Sequence, residues 1–378
     1  MIPSCLNDDN PYPISHLKEI PGVIVYSNEE RTQWFTLSGA PPVSMAVKMP
    51  SMQVNSLSLP STGQTILAYT IVPEKLDAHR AAFLLKSSPG PAKPVEVDMV
   101  EMVKYYEDEL GAGFAPFQTW SIRWVNENII LIDATFSETA TSSFHLHQYR
   151  LYDIVHFVWR DDLTQELPQR QLYQWLDISP DLKSALYVDK QYNLVLWDLE
   201  EHKKVWSDHV SSSIDQSPLV SVWSPDSQYI AFVFGNFSKV ISRDGDNVQT
   251  ILDPIFQNAD QPYLHNRSLS WSPNSNLLAI SGVVHYDDEK IQSMFYIFDI
   301  NKHTYIFRCP FEDKAAGIHA PQTNVIWSSD GNYILPSNTR YITVPFRLYD
   351  LRNKTIYQIS ENGERVVGWF NQFPEVLK

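Results

Sequence analysis

The sequence predicts an all-β fold, a seven-bladed β-propeller built from four-stranded antiparallel blades. Three observations predict it. A ten-residue phrase is written twice, as "WSPDSQYIAF" from Trp223 and as "WSPNSNLLAI" from Trp271. A second signature, aromatic-Asp-aliphatic, follows the phrase at the end of a later strand, as in "LWDL" at Trp197-Asp198-Leu199. The two ends of the chain also read as complementary parts of one further repeat.

The phrase has weaker copies. "WSSDGNYIL" starts at Trp327, "ISPDLKSALYV" at Ile178, "WVNENIILI" at Trp124, "LPSTGQTILAY" at Leu59 and "WFNQFPEVL" at Trp369. These seven anchors are separated by 65, 54, 45, 48, 56 and 42 residues, a period near the length of a propeller blade. In the copy from Trp223, Pro225 and Asp226 suit a tight turn, because Pro fixes φ and Asp bonds nearby backbone N–H groups. The run after the turn, such as Tyr229-Ile230-Ala231-Phe232, is nearly continuous in apolar character. Strands buried on both faces look like this. An aromatic anchor, a turn and a buried strand make the first hairpin of a blade.

The second hairpin is marked by Tyr152-Asp153-Ile154, Trp197-Asp198-Leu199, Phe298-Asp299-Ile300 and Tyr349-Asp350-Leu351. A short polar connection and another strand follow each of them. In "SKVISRDGDNVQTIL" Ser242 stands where the aromatic is expected, and Asp-Gly signals a hairpin turn there. The first repeat is the least regular. Its third and fourth strands are read as "AAFLLKSS" and "VEVDMV", joined by "PGPAKP", and a short helical insertion is expected near 101–111. At the chain ends, "GVIVYS" and "TQWFTLS" mirror a second hairpin. Pairing them with a C-terminal hairpin from Trp369 completes the seventh blade and removes open sheet edges. The expected organisation is an extension over 1–21 and one propeller domain over 22–378.

Composition narrows the function classes. Against 29 Lys+Arg stand 44 Asp+Glu, a net charge of −15, which disfavours a general phosphate-binding field and so a nucleic-acid partner. No run approaches the roughly 18 apolar residues of a membrane span. The start has neither a basic n-region nor an apolar h-region, so a cytoplasmic protein is expected, or a periplasmic one if an export signal has been removed. Cys5 and Cys309 are the only cysteines, and suggest neither a disulfide framework nor a thiolate metal site.

The "WSPDS"/"WSPNS" phrases and the "LWDL"/"LYDL" strands resemble those of WD-repeat propellers, and in particular of their TolB-type relatives. The resemblance covers roughly residues 22–378 and implies the propeller fold. It implies little about function, because such propellers serve many roles. The chain departs from the eukaryotic WD pattern in having no Gly-His dipeptide at the blade starts.

Ring geometry sends the short turns within hairpins to one face and the longer connections to the other. The long ones include 38–56, 107–118, 161–171, 253–267 and 310–322. Binding residues collect on long loops of a rigid scaffold. Phe117, Phe256, Asp260, Tyr263, His265, Glu312 and His319, with Asp287 and Asp288 of the "HYDDEK" loop, are therefore the candidate partner-binding residues. The sequence has no G-x-S-x-G, H-E-x-x-H, Walker or G-x-G-x-x-G motif. No catalytic residue, metal ligand or cofactor is assigned; His145 and His147 alternate on one strand without a third ligand nearby. The expected function is a non-catalytic scaffold, monomeric outside its complex, that binds a protein or peptide, favouring a basic surface through faster encounter. The alternative is a hydrolase or lyase at the channel mouth, built from Asp260, His265, Glu312 and His319.

Overall fold

The structure, a computed structural model, describes residues 12–13, 23–27, 32–36, 66–70, 82–86, 94–97, 115–137, 145–153, 155–156, 158–168, 172–210, 220–234, 237–251, 264–285, 291–311, 323–338, 346–360 and 365–370. The N-terminal strands are β1 (Tyr12–Pro13), β2 (Val23–Ser27), β3 (Thr32–Thr36), β4 (Ile66–Thr70), β5 (Ala82–Lys86) and β6 (Pro94–Val97). Next come β7 (Ala115–Trp124), β8 (Ile129–Ser137), β9 (His145–Asp153), β10 (Val158–Trp159) and a short helix, α1 (Asp161–Glu166). Two quartets follow: β11 (Leu172–Ile178), β12 (Ser184–Asp189), β13 (Asn193–Asp198), β14 (Lys203–His209), then β15 (Val220–Trp223), β16 (Tyr229–Phe234), β17 (Phe237–Ser242), β18 (Val248–Ile251). The last are β19 (Leu264–Trp271), β20 (Leu277–His285), β21 (Ile291–Asp299), β22 (Thr304–Phe311), β23 (Thr323–Trp327), β24 (Tyr333–Asn338), β25 (Phe346–Asp350), β26 (Thr355–Ser360) and β27 (Arg365–Phe370).

These strands make a succession of antiparallel meanders. β7–β10, β11–β14, β15–β18 and β19–β22 are four-stranded sheets in simple sequential order. β23–β26 form another, to whose outer edge β1 adds in parallel, Tyr12 opposite Tyr357. β4–β6 and β27-β2-β3 are three-stranded among the described residues. The first strands of successive sheets, from β11 through β15, β19 and β23 to β27, pack side by side. This is a propeller-like, all-β architecture.

The apolar runs are explained by where alternate residues go. Ala185 and Tyr187 of β12 pack into a cluster with Leu131, Tyr149 and Leu151 of the preceding sheet. Their neighbours Leu186 and Val188 pack into a cluster with Trp223, Ile230 and Phe232 of the following one. β16 repeats the division, with Ile230 and Phe232 on one side and Ala231 and Val233 on the other. A sheet sandwiched between two others has no solvent face, so its strands lose the polar half of the period-two pattern. Each fully buried Leu, Ile or Phe in these layers contributes about 1.5–3 kcal/mol.

Several expectations are corrected. β2 pairs directly with β27, Ile24 opposite Trp369, so the N-terminal strand joins the strand that ends at the Trp369 anchor and not a later strand of a hairpin from it. Part of the 161–171 connection is α1, whose first turn carries Asp161 and Asp162, the charge sign a helix N-terminus favours. Arg150 Nε donates to Asp161 at 2.9 Å, and the Leu151 N–H donates to Thr164 Oγ1 at 3.2 Å, fixing the helix against β9. Cys309, in β22 and fully buried, is disulfide-bonded, although two cysteines suggested no disulfide framework. The helical insertion near 101–111 lies outside the described residues.

Candidate functional site

One end of the sheets is sealed by a repeated turn chemistry. In Ser179-x-Asp181, Ser224-x-Asp226, Ser272-x-Asn274 and Ser328-x-Asp330 the serine hydroxyl donates to the acidic or amide side chain two residues on, at 2.6–2.7 Å. The same oxygen accepts the backbone N–H five residues on, at 2.9 Å in each copy. Ser242 and Asp244 do the same between β17 and β18, with the Asn247 N–H 2.9 Å from Ser242 Oγ. Serine therefore replaces the aromatic-Asp corner with the phrase's own turn. At the other corners Asp198, Asp299 and Asp350 accept N–H groups of the following turn at 2.8–3.0 Å. His202, His303 and Lys354 then take positive φ of 51–53°, the left-handed step that closes a type I turn with a bulge.

In the four sheets from β11–β14 to β23–β26, backbone bonds join the two corners: Leu199 N to Lys183 O, Arg243 N to Gln228 O, Ile300 N to Asn276 O and Leu351 N to Asn332 O, all 2.8–3.0 Å. Others cross between sheets on the same face. Asn126 Nδ2 donates to Pro180 O at 2.8 Å, and the Asp181 and Asp226 N–H groups donate to Ser227 and Ser275 Oγ at 3.1 Å. The tryptophan anchors stitch the first strands below that face. Trp271 Nε1 donates to Val222 O at 2.9 Å, and Trp327 Nε1 to Ser270 O at 3.1 Å.

The opposite end is different. The first strands β11, β15, β19 and β23 run toward the serine turns and β7 toward the Asn126 turn, and three of these five are irregular in their upstream half. β7 slips register between Pro116 and Trp120, β11 between Leu172 and Leu176, and β19 between His265 and Ser268. Trp175, in the β11 irregularity, has φ 57°, a conformation that costs a non-glycine residue about 1–2 kcal/mol. Its indole donates to Ser221 Oγ at 2.9 Å and carries the Arg123 guanidinium 4.6 Å above the ring. Arg123 also donates to Leu176 O. Nothing in the sequence singled out Trp175, since only its backbone angle marks it.

Deeper in the same strands lies a charged bridge. Ser221 Oγ donates to Asp177 Oδ2 at 2.7 Å. Burial pushes the Asp177 carboxyl up, and the Arg123 charge and the Ser221 hydroxyl only partly oppose this. Burial and then the Asp133 carboxylate hold the Tyr149 phenol well above its ordinary range. His147 Nδ1 lies 3.1 Å from Asp133 Oδ1 and its ring stacks on Tyr149. His147 is thus a packed histidine with a carboxylate partner. Among the described residues no three His, Cys, Asp or Glu side chains cluster as a metal site would require.

Of the nine candidate residues, Phe117 and His265 lie in described backbone, and both are in first strands, β7 and β19, rather than in loops. The strands run further toward the long connections than their turn-rich ends suggested. Phe117 falls within the β7 irregularity, and His265, opposite Val283, opens the β19 one. Phe256, Asp260, Tyr263, Asp287, Asp288, Glu312 and His319 lie outside the described residues.

No family model matches the chain, and no curated protein matches it. Among solved structures, a chain of "Crystal Structure of Mitotic Checkpoint Complex" is similar with 11% identity and a TM-score of 0.45, over 82% of this chain and 80% of that one. No statement about this protein's role follows from a likeness of that size.

Proposed function

We propose that the protein is a seven-bladed propeller of WD-repeat type, its ring shut by the β2–β27 pairing, that binds a protein or peptide through the face away from the serine turns. One observation carries the reading: hydrogen bonds within and between sheets close one face, while the first strands bulge at the other. Bulges next to functional sites re-aim side chains, and long connections on a rigid scaffold are where binding residues collect. Trp175 supplies aromatic surface there of the kind that anchors interfaces, and Phe117 lies within the β7 irregularity on the same side. The net charge of −15 speeds encounter with a basic partner.

The test is affinity capture with the purified chain, compared with a variant shortened in 253–262 and 310–322 and with a control altered on the serine-turn face at Lys354 and Arg352. Partners are expected on the parent and the control, weakened by raised salt, and lost from the loop variant. Undiminished capture by the loop variant would refute the proposal.

A further inference from the structure

The left-handed backbone at Trp175 is held from three strands. From β7, Arg123 donates to the Leu176 carbonyl and lays its guanidinium over the indole. From β9, the Tyr149 hydroxyl meets the Trp175 and Leu176 N–H groups. From β15, Ser221 Oγ accepts the indole N–H at 2.9 Å and donates its own hydrogen to Asp177 Oδ2 at 2.7 Å. The donor chain therefore leaves β11 at Trp175, crosses to the next sheet and returns to β11 two residues on.

A serine hydroxyl has one hydrogen to give. Ser221 gives it to Asp177 while Oδ2 carries no proton, and donation to a carboxylate makes the same oxygen a better acceptor for the indole. Asp177 Oδ1 already accepts the Ile178 N–H at 3.0 Å, so an arriving proton belongs on Oδ2, facing Ser221. The bond then reverses. Asp177 donates, the Ser221 hydrogen turns away, and the indole shares a doubly accepting oxygen without charge assistance.

We propose that Asp177 is a positioning residue, a proton-operated latch that fixes the left-handed Trp175 between two sheets when ionised and loosens it when protonated. Asp177 is only partly covered, which gives the proton a route from solvent. Burial raises its carboxyl, and the Arg123 charge and the Ser221 hydroxyl oppose this less strongly, so the proton is taken up in milder acid than by an ordinary aspartate. Among the described residues the surrounding charges stand outside the donor chain. Asp133 of β8 acts on Tyr149 and is paired with His147 of β9. On β12, burial and then Asp189 push Tyr187 up to about 12. Lys239 of β17 is paired with Asp208 of β14. The latch belongs to the free chain and does not depend on the partner-binding reading.

The test follows the tryptophan indole N–H resonances of the full chain, isotope-labelled at tryptophan, from about pH 8 to about pH 4.5. Trp175→Phe identifies the signal. The Trp175 resonance should move with a midpoint above 3.8, while that of Trp271, bonded to Val222 O, stays in place. On the acid side Trp175 indole exchange, taken relative to Trp271 in the same sample, should rise about 2- to 10-fold, the factor of one lost hydrogen bond. Asp177→Asn should abolish the movement, and His147→Gln and Asp133→Asn should keep it. Ser221→Ala should give the raised exchange already at neutral pH. A Trp175 resonance that stays still across the range, or that moves together with Trp271, would overturn the latch on the parent chain alone. Movement that survives Asp177→Asn would overturn it as well.

Discussion

Three tryptophans occupy the same place in the repeat, and the structure distinguishes them by one bond. Trp223, Trp271 and Trp327 are buried to the same degree, with 6–7% of their surface exposed. The indoles of Trp271 and Trp327 donate to the preceding first strand, whereas the buried indole N–H of Trp223 has no partner among the described residues. Replacing each with Phe removes a similar amount of ring. At Trp271 the change also removes a hydrogen bond with a net value of about 0.5–1.5 kcal/mol. At Trp223 it removes an unsatisfied buried donor, whose desolvation penalty is about 1–3 kcal/mol. Trp271→Phe should therefore destabilise the protein by about 2 kcal/mol more than Trp223→Phe. The two values come from urea unfolding followed by far-ultraviolet circular dichroism, which does not depend on tryptophan emission, compared at equal slope. Trp327→Phe should fall with Trp271→Phe. If Trp223→Phe proves as damaging as the other two, the bond between first strands is not what the anchors contribute.

Other outcomes follow from the same geometry. Ser272→Ala removes the hydroxyl that accepts the Leu277 N–H and donates to Asn274 in a fully buried position; a loss of about 1–2 kcal/mol is expected in the same assay. Gly245→Ala should cost about 1–3 kcal/mol, because a Cβ at φ 76° would meet Val205 Cγ1 at 3.0 Å and Trp206 Cβ at 3.1 Å. Gly331→Ser should be within about 1 kcal/mol of neutral by thermal melting. Its Cβ would have 3.7 Å or more of clearance, and Ser227 and Ser275 already hold the equivalent conformation at φ 60–61°. Burial raises the Asp299 carboxyl, but the Lys302 ammonium and backbone N–H outweigh it and leave it below its ordinary 3.8. That stabilisation is present above the ordinary value and lost as pH falls through the lowered one. Asp299→Asn should reduce stability at pH 7 and flatten the decline below about pH 4 seen on acid titration of the parent.

Much of this was legible in order of residues alone. The Ser-Pro-Asp and aromatic-Asp phrases specify turns through bonds that reach only two to five residues, so the hairpins and their common face could be read from spacing. The continuous apolar runs of β12 and β16 announced burial on both sides. Ser242 was less legible, because it swaps one turn chemistry for another of the same length. Three features depended on the third dimension. The β2–β27 pairing takes one C-terminal strand, a choice between equivalent ladders that only the positions of the ends decide. The left-handed Trp175 is held by Ser221 and Arg123 from neighbouring sheets, and local propensity argues against it. The bonded Cys309 has its only possible partner within the chain some 300 positions away. Local chemistry sets which hairpins form; contacts between residues far apart in the chain decide how the ends meet.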